Sequence, residues 1–396
     1  MTEGEKTALR SGRVQNGAYA ALNGAYWMLY CVAAGFAGVF LLSRGYTNSQ
    51  IGVILAVGHM LGLGLQPVMA AAADRAKTPV MVMGAMAGAV ILTLSSFLVI
   101  PGRGLLTAGA YGLFLALTVT FQPLVNAFAF YLERQGTKVP FGFCRAIGSL
   151  AYAVLSAVLG ALTVRAGAGA VPVSGLCVIA GMAGLMVWFG RVRAPRAPDS
   201  PAEPDGKGGV KSGRFILFLV GTALVFISHA FMNNFTIQIV RGVGGDSGDM
   251  GLLGAYMAML ELPAMLLFDR LHRRFSCAGM LRVAAVFFAV KCVLTLAAGS
   301  MPGLYGALIF QALSFGLFVP ASVRYAGELA GAGNVNRLQA SITAMISVGN
   351  ICASMGGGVL IDGVGMKAAL AVASACACAG MAVRLIGLKG RNNDGI

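Results

Sequence analysis

Hydrophobic and polar positions along the chain alternate in long blocks. Apolar runs of twenty residues or more are separated by short polar breaks. Twelve such runs stand out: 15–42, 48–73, 79–100, 104–132, 140–165, 170–190, 214–241, 249–269, 276–299, 302–328, 336–361 and 366–388. A helix needs about 20 mostly apolar residues to cross a hydrocarbon layer of about 30 Å. Only helices and closed barrels keep every backbone polar group paired in lipid. The alternation over about 10 residues that marks a barrel strand is missing here. The pattern therefore predicts an all-α integral membrane protein with twelve transmembrane helices.

One stretch breaks the rhythm. Gly190 to Gly213 holds four prolines and eight charges, which reads as a solvated linker. The chain is thus expected to divide into an N-terminal six-helix bundle (1–190), a cytoplasmic linker (191–213) and a C-terminal six-helix bundle (214–396). The two halves echo each other. Gln66, Asp74, Arg75 and Glu133 recur 195 residues later as Glu261, Asp269, Arg270 and Glu328. Parallel repeats of this kind are a transporter design, with the solute site expected between the halves.

Composition narrows the class. Of 396 residues, 58% are hydrophobic and 11% are charged, against about 25% charged in soluble proteins. A soluble enzyme, a disordered regulator and a collagen-like fibre are excluded. The net charge of +15 invites a nucleic-acid reading, but basic residues of membrane proteins gather in cytoplasmic loops. With Met1 inside, the inner segments hold 22 Lys or Arg and the outer loops five: Arg44, Arg103, Arg165, Arg241 and Lys367. Arg145 and Lys291 remain within spans. Both termini are expected in the cytoplasm, the location a cytoplasmic membrane, and no cleaved signal is evident. The eight cysteines form no C-x-x-C pair and read as small packing residues. No disulfide framework, metal centre or cofactor is expected.

Polar residues inside spans face other helices or water, because lipid penalises them. Helical spacing aligns Tyr19, Asn23, Tyr26 and Tyr30 in the first span, and Thr118, Gln122 and Asn126 in the fourth. It aligns Arg145, Ser149, Tyr152 and Ser156 in the fifth, and His229, Asn233 and Thr236 in the seventh. Gln311 with Ser314, and Thr343, Ser347, Asn350 and Ser354, do the same in the tenth and eleventh. Several such stripes predict a hydrated cavity rather than interhelical glue alone. Glu261 is the one acid deep within a span. It is expected to face the cavity, balanced by Arg145, Lys291 or both, since an isolated charge there costs at least about 2.5–3.5 kcal/mol. His229 is open between a packing residue and a proton relay. His272, among Arg270, Arg273 and Arg274, reads as a solvated loop residue.

Two six-helix halves with acid–Arg pairs after spans 2 and 8 resemble the major facilitator superfamily. Its loop motif survives in part as Asp74-Arg75-Ala76-Lys77 and Asp269-Arg270-Leu271-His272-Arg273-Arg274. Gln66-Pro67, Phe141-Gly142-Phe143-Cys144-Arg145-Ala146-Ile147-Gly148 and Glu261-Leu262-Pro263 are similar to the lactose-permease and phenylpropionate-permease branch. That branch consists of proton symporters importing sugars, nucleosides or aromatic acids. The resemblance implies a substrate-binding role for Arg145 and a ring-stacking position for Tyr152. It further implies a central helix-8 carboxylate in Glu261 and a basic helix-9 position in Lys291. Where the lactose permease has a helix-4 carboxylate and helix-10 His and Glu, this chain has Asn126, Gln311 and Ser314, so galactoside specificity is not implied.

The expectation is a secondary transporter working by alternating access, with no enzymatic activity. Tyr26, Asn126, Arg145, Tyr152, Asn233 and Gln311 would bind solute. Glu261, His229 and Lys291 would couple protons. Asp74, Arg75, Glu133, Asp269, Arg270 and Glu328 would form a cytoplasmic gate. The partners are a small-molecule solute, protons and the lipid bilayer, with no nucleic acid, and the protein is expected to be monomeric. The rival readings are an efflux transporter of the same superfamily, an integral membrane enzyme acting on a lipid-linked substrate, and a channel. The sequence holds no GxxxxGK[ST] phosphate loop, which removes support for ATP-driven transport by this chain alone.

Overall fold

All regular structure among the described residues is helical. The computed structural model describes residues 3–76, 78–134, 136–191, 213–330 and 335–388. Positions 192–212 of the expected linker lie outside the described residues. Among the described residues ten helices are long and apolar enough to cross a membrane, and an eleventh span is bent by 44° where Val14–Gly35 meets Ala37–Ser43. The expected run at 249–269 forms one further 20-residue helix, Ser247–Leu266.

The chain falls into two compact units, one of Met1–Tyr46 with Val57–Ser200, the other of Thr47–Ala56 with Pro201–Ile396. The first seven helices are α1 (Glu3–Tyr30), α2 (Ala37–Ser43), α3 (Asn48–Arg75), α4 (Pro79–Val99), α5 (Leu105–Arg134), α6 (Phe141–Ala166) and α7 (Ala170–Arg191). In this unit α1 lies along α6 and α4 lies along α7. The α1–α6 approach is close because both helices use glycine at the crossing. A Cβ at Gly148 would come within 2.4 Å of Trp27 Cδ1, and one at Gly24 would meet the Ala151 Cβ at 3.4 Å. Gly58 and Gly62 do the same work between α3 and α5, where a Cβ at Gly62 would lie 2.2 Å from Val119 Cγ2. The other G-x-x-x-G pair, Gly84 and Gly88, faces open space. Arg44 closes the far end of α4 by donating to the carbonyls of Ile100 at 2.7 Å and Phe97 at 2.6 Å, the usual service of a basic side chain at a helix C-terminus.

The second unit contains α8 (Gly213–Asn234), α9 (Thr236–Gly242), α10 (Ser247–Leu266), α11 (Phe268–His272), α12 (Cys277–Ala297), α13 (Met301–Leu308), α14 (Leu317–Ala330), α15 (Val335–Val364) and α16 (Met366–Gly387). Helix α8 packs on α15 and α16. The tenth expected span is one continuous run with a loosened middle, a π turn over Ala312–Gly316. Pro320 lies four residues beyond Gly316 and has no N–H to give its carbonyl, which explains the wider turn. The α3 start belongs to this unit, and Asp362 near the end of α15 holds it. Its carboxylate accepts from Asn48 Nδ2 at 2.8 Å, Ser49 N at 2.6 Å and Ser49 Oγ at 2.6 Å.

Arg384 corrects the charge inventory. It is a further basic residue within a span, on α16, fully buried in the apolar core of the second unit. Its guanidinium lies 4.9 Å from the Phe318 ring centroid and 5.3 Å from that of Phe218. All three guanidinium nitrogens lack a hydrogen-bond partner among the described residues. Two cation–π contacts are worth about 1–4 kcal/mol together, whereas desolvating an ion costs several kcal/mol. Arg384→Met keeps the packed stem and removes the charge. The purified variant is expected to unfold at a higher temperature than the wild type, with about 1–3 kcal/mol of added stability. A fall in unfolding temperature would show that the aromatic contacts outweigh desolvation.

Candidate functional site

Five of the expected site residues form one continuous polar chain in the second unit. Gln311, 3% exposed, ends a tight 3-10 turn, just before the π turn of the tenth span. Its Nε2 donates to Glu261 Oε1 at 2.7 Å, and its Oε1 accepts from Lys291 Nζ at 2.7 Å. Lys291, 2% exposed on α12, also lies 3.3 Å from His229 Nδ1. His229 Nε2 lies 3.2 Å from Asn233 Nδ2, one turn further along α8. The order is Glu261–Gln311–Lys291–His229–Asn233, with members drawn from α8, α10, α12 and the α13–α14 span.

Donor and acceptor counting fixes the protonation pattern. An ammonium donates only, so His229 Nδ1 accepts and the imidazole proton resides on Nε2. A half turn of the Asn233 amide then brings its oxygen to that proton. The ring is clamped by a stacked contact with Phe315 at 4.8 Å and an edge contact with Phe226 at 5.6 Å. Lys291 and Glu261 are joined through the Gln311 amide. A cavity of about 20 Å³ adjoins the chain, with Asn233, Thr236, Lys291 and Thr295 among its walls. That volume holds about one water molecule. Thr236 donates to the Met232 carbonyl at the end of α8 and Thr295 to the Lys291 carbonyl on α12, and both hydroxyls keep lone pairs for the cavity.

The first unit carries a second cluster around Arg145. Its guanidinium stacks 3.8 Å over the Trp27 ring and Nη1 donates to Ser149 Oγ at 2.8 Å. Tyr26 packs edge-on against Trp27 at 5.2 Å. It is 1% exposed, and its hydroxyl has no hydrogen-bond partner among the described residues. Tyr152 is turned towards the backbone, with its hydroxyl 2.9 Å from where a Cβ at Gly35 would stand. It flanks the Cys31 thiol together with Ser156. Asn126 is half-buried on α5 and has no side-chain hydrogen bond to a described residue.

The start of the first stripe is packed in the core. Tyr19 donates to the Val125 carbonyl at 3.1 Å and is fully buried with Asn23. Ser347, Asn350 and Ser354 donate to carbonyls one turn back on α15. Asp74, Arg75, Glu133, Asp269 and Arg270 are exposed and make no ion pair with a described residue. Glu328 faces His272 at 3.9 Å. His272 is not a fully solvated loop residue, because its side chain is 27% exposed and stacks on Phe268 at 5.9 Å.

Three contributors escaped the sequence reading. Trp27 follows Asn23 by four residues and so shares its face, a signal that was legible. Asn234, which donates to Ser354 Oγ at 2.8 Å, and Asp362 carry no such local mark.

The MFS_1 like family matches residues 19–371 of the chain. A maltose permease from Geobacillus stearothermophilus is 27% identical over 358 residues, covering 86% of each chain. Among solved structures, the nucleoside transporter NupG superposes with a TM-score of 0.73 at 12% identity, over 96% of this chain and 100% of its own. An auto-inhibited POT family peptide transporter gives 0.75 at 12% identity, over 96% and 98%. At such identities the likeness is one of fold.

The geometry makes Gln311 the joint of the polar chain. Gln311→Leu keeps its bulk but strips a partner from both Lys291 and Glu261. The purified variant is expected to lose about 2–4 kcal/mol and to unfold at a lower temperature. An unchanged unfolding temperature would mean that neither charge depends on the amide.

Proposed function

The chain belongs to the MFS_1 like family, and on that premise we propose that it is a proton-coupled importer of a small organic solute. Family and relatives make it a transporter and not an enzyme, which removes the lipid-linked enzyme from the rival readings. The reading further comprises two six-helix bundles joined by the 191–213 linker, both termini in the cytoplasm, the cytoplasmic membrane, and a monomer that works by alternating access. A sugar is the favoured solute, supported by the maltose permease relative. Nucleosides and aromatic acids come next.

The observation that carries the reading is the Glu261–Gln311–Lys291–His229–Asn233 chain. A carboxylate tied to an ammonium through an amide is stabilised while charged. When Glu261 takes a proton its new O–H must find an acceptor, and Lys291 loses its counter-charge. Such a group changes the internal charge balance with its proton and so biases the conformational equilibrium. Arg145 offers a planar fork of donors already pinned on Trp27, suited to hydroxyl or carboxylate oxygens of a solute. Tyr26, Asn126, Tyr152 and Asn233 supply further polar contacts in this reading. Asp74, Arg75, Glu133, Asp269, Arg270 and Glu328 act as the cytoplasmic gate, and the hydrogen bonds between Asp362 and the α3 start release during the cycle.

The test is uptake into proteoliposomes with an imposed pH gradient, using radiolabelled maltose first and then other disaccharides, nucleosides and aromatic acids. Wild-type protein is expected to accumulate one of these above its external concentration. Glu261→Gln is expected to abolish accumulation while retaining exchange across equal concentrations. Accumulation by Glu261→Gln at the wild-type level would remove the proton role. Arg145→Lys keeps the charge but loses the planar stack, and is expected to lower uptake at sub-saturating solute by about tenfold or more, the weight of one bidentate charged contact. Wild-type uptake by that variant would remove Arg145 from the solute site.

A further inference from the structure

His272, Cys277 and Glu328 come together at the linker end of the second unit, away from the polar chain of the proposed transport site. His272 ends α11, Cys277 opens α12 and Glu328 lies in the last turn of α14. Cys277 Sγ is 3.4 Å from His272 Nδ1, and His272 Nε2 is 3.9 Å from Glu328 Oε1. One ligand atom from each of the three residues lies within 4.8 Å of the other two. We propose that these three side chains form a binding site for a single divalent transition-metal ion of the zinc class.

Three observations carry it. The first is the donor set. A thiol, an imidazole and a carboxylate are the ligand types zinc takes, and the sulfur disfavours Mg²⁺ and Ca²⁺. The second is the spacing. Ligand atoms about 2.0–2.3 Å from a tetrahedral Zn²⁺ stand about 3.3–3.7 Å apart. The S···N separation already falls in that window, and the carboxylate has a little further to come. The third is convergence on the thiol: Cys277 hydrogen-bonds to the Glu328 carboxylate and lies against His272 Nδ1, so both other ligands already meet at the sulfur. A cation there would take the place of the thiol proton.

The mobility of the parts fits. Cys277 is buried and fixed at the first position of α12, and the His272 ring lies parallel to Phe268 with a 2° interplanar angle. Glu328 is exposed and has the torsional freedom to swing to Nδ1, the nitrogen that faces the sulfur. Cys277 would bind as thiolate, its proton leaving to solvent as the metal arrives. Two anionic ligands then balance the divalent charge, which offsets repulsion from the exposed Arg270, Arg273 and Arg274. The open fourth position would be taken by water. The metal site stands or falls independently of the transport reading.

The test is titration of the purified full-length protein in detergent with Co²⁺, followed by competition with Zn²⁺. Wild-type protein is expected to bind one Co²⁺ with a thiolate-to-cobalt charge-transfer band in the near ultraviolet, which Zn²⁺ abolishes at one equivalent. Cys277→Ser is expected to lose the band. His272→Ala and Glu328→Gln are expected to weaken binding by about tenfold or more, with metal-free unfolding temperatures like the wild type. Glu328→Gln lies on an exposed side chain and keeps the test intact if a buried substitution disturbs folding. Absence of the band in wild-type protein, its persistence in Cys277→Ser, or wild-type affinity in Glu328→Gln would overturn the site.

Discussion

A charge carried into the hydrocarbon layer must find its compensation inside the protein, and that constraint organises the second unit. Lys291 is almost fully buried on α12, and left alone it would cost more than a single helix can return. Gln311 and His229 supply its acceptors, and Gln311 passes the connection on to Glu261. Four separate helical spans must therefore keep a fixed rotation about their axes for one ammonium to be satisfied. The α8–α15–α16 packing and the loosened turn at Ala312–Gly316 are the mechanical conditions for that register.

The first unit solves the same problem by a different route. Arg145 is spread over an indole face and one serine hydroxyl. A planar cation loses less on leaving water than an ammonium does, and its flat face can stack on a ring. Glycines at the α1–α6 crossing let Trp27 come close enough to serve as that platform. Packing and chemistry are thus coupled: a side chain at Gly148 would displace the ring that holds the guanidinium. Arg384 marks the opposite extreme, a buried cation held by two phenylalanine rings and no hydrogen bond.

Linear patterning decided a great deal. Apolar runs of spanning length fixed the helical membrane class, because lipid admits few ways of pairing a backbone. Scarcity made the charged residues within spans conspicuous, so Glu261, Lys291 and Arg145 were legible, and helical spacing placed Asn233 on the face of His229. What spacing along one helix does not carry is the identity of the partner on another. The joining role of Gln311, the indole under Arg145, the turned hydroxyl of Tyr152 and the carboxylate of Asp362 at the α3 start all depend on how helices rotate and approach in space. For the same reason an arginine counted with the loops lies in the core, and a histidine, a cysteine and a glutamate from three segments meet. One-dimensional order sets which residues lipid will not tolerate; only three-dimensional packing decides which neighbour relieves each of them.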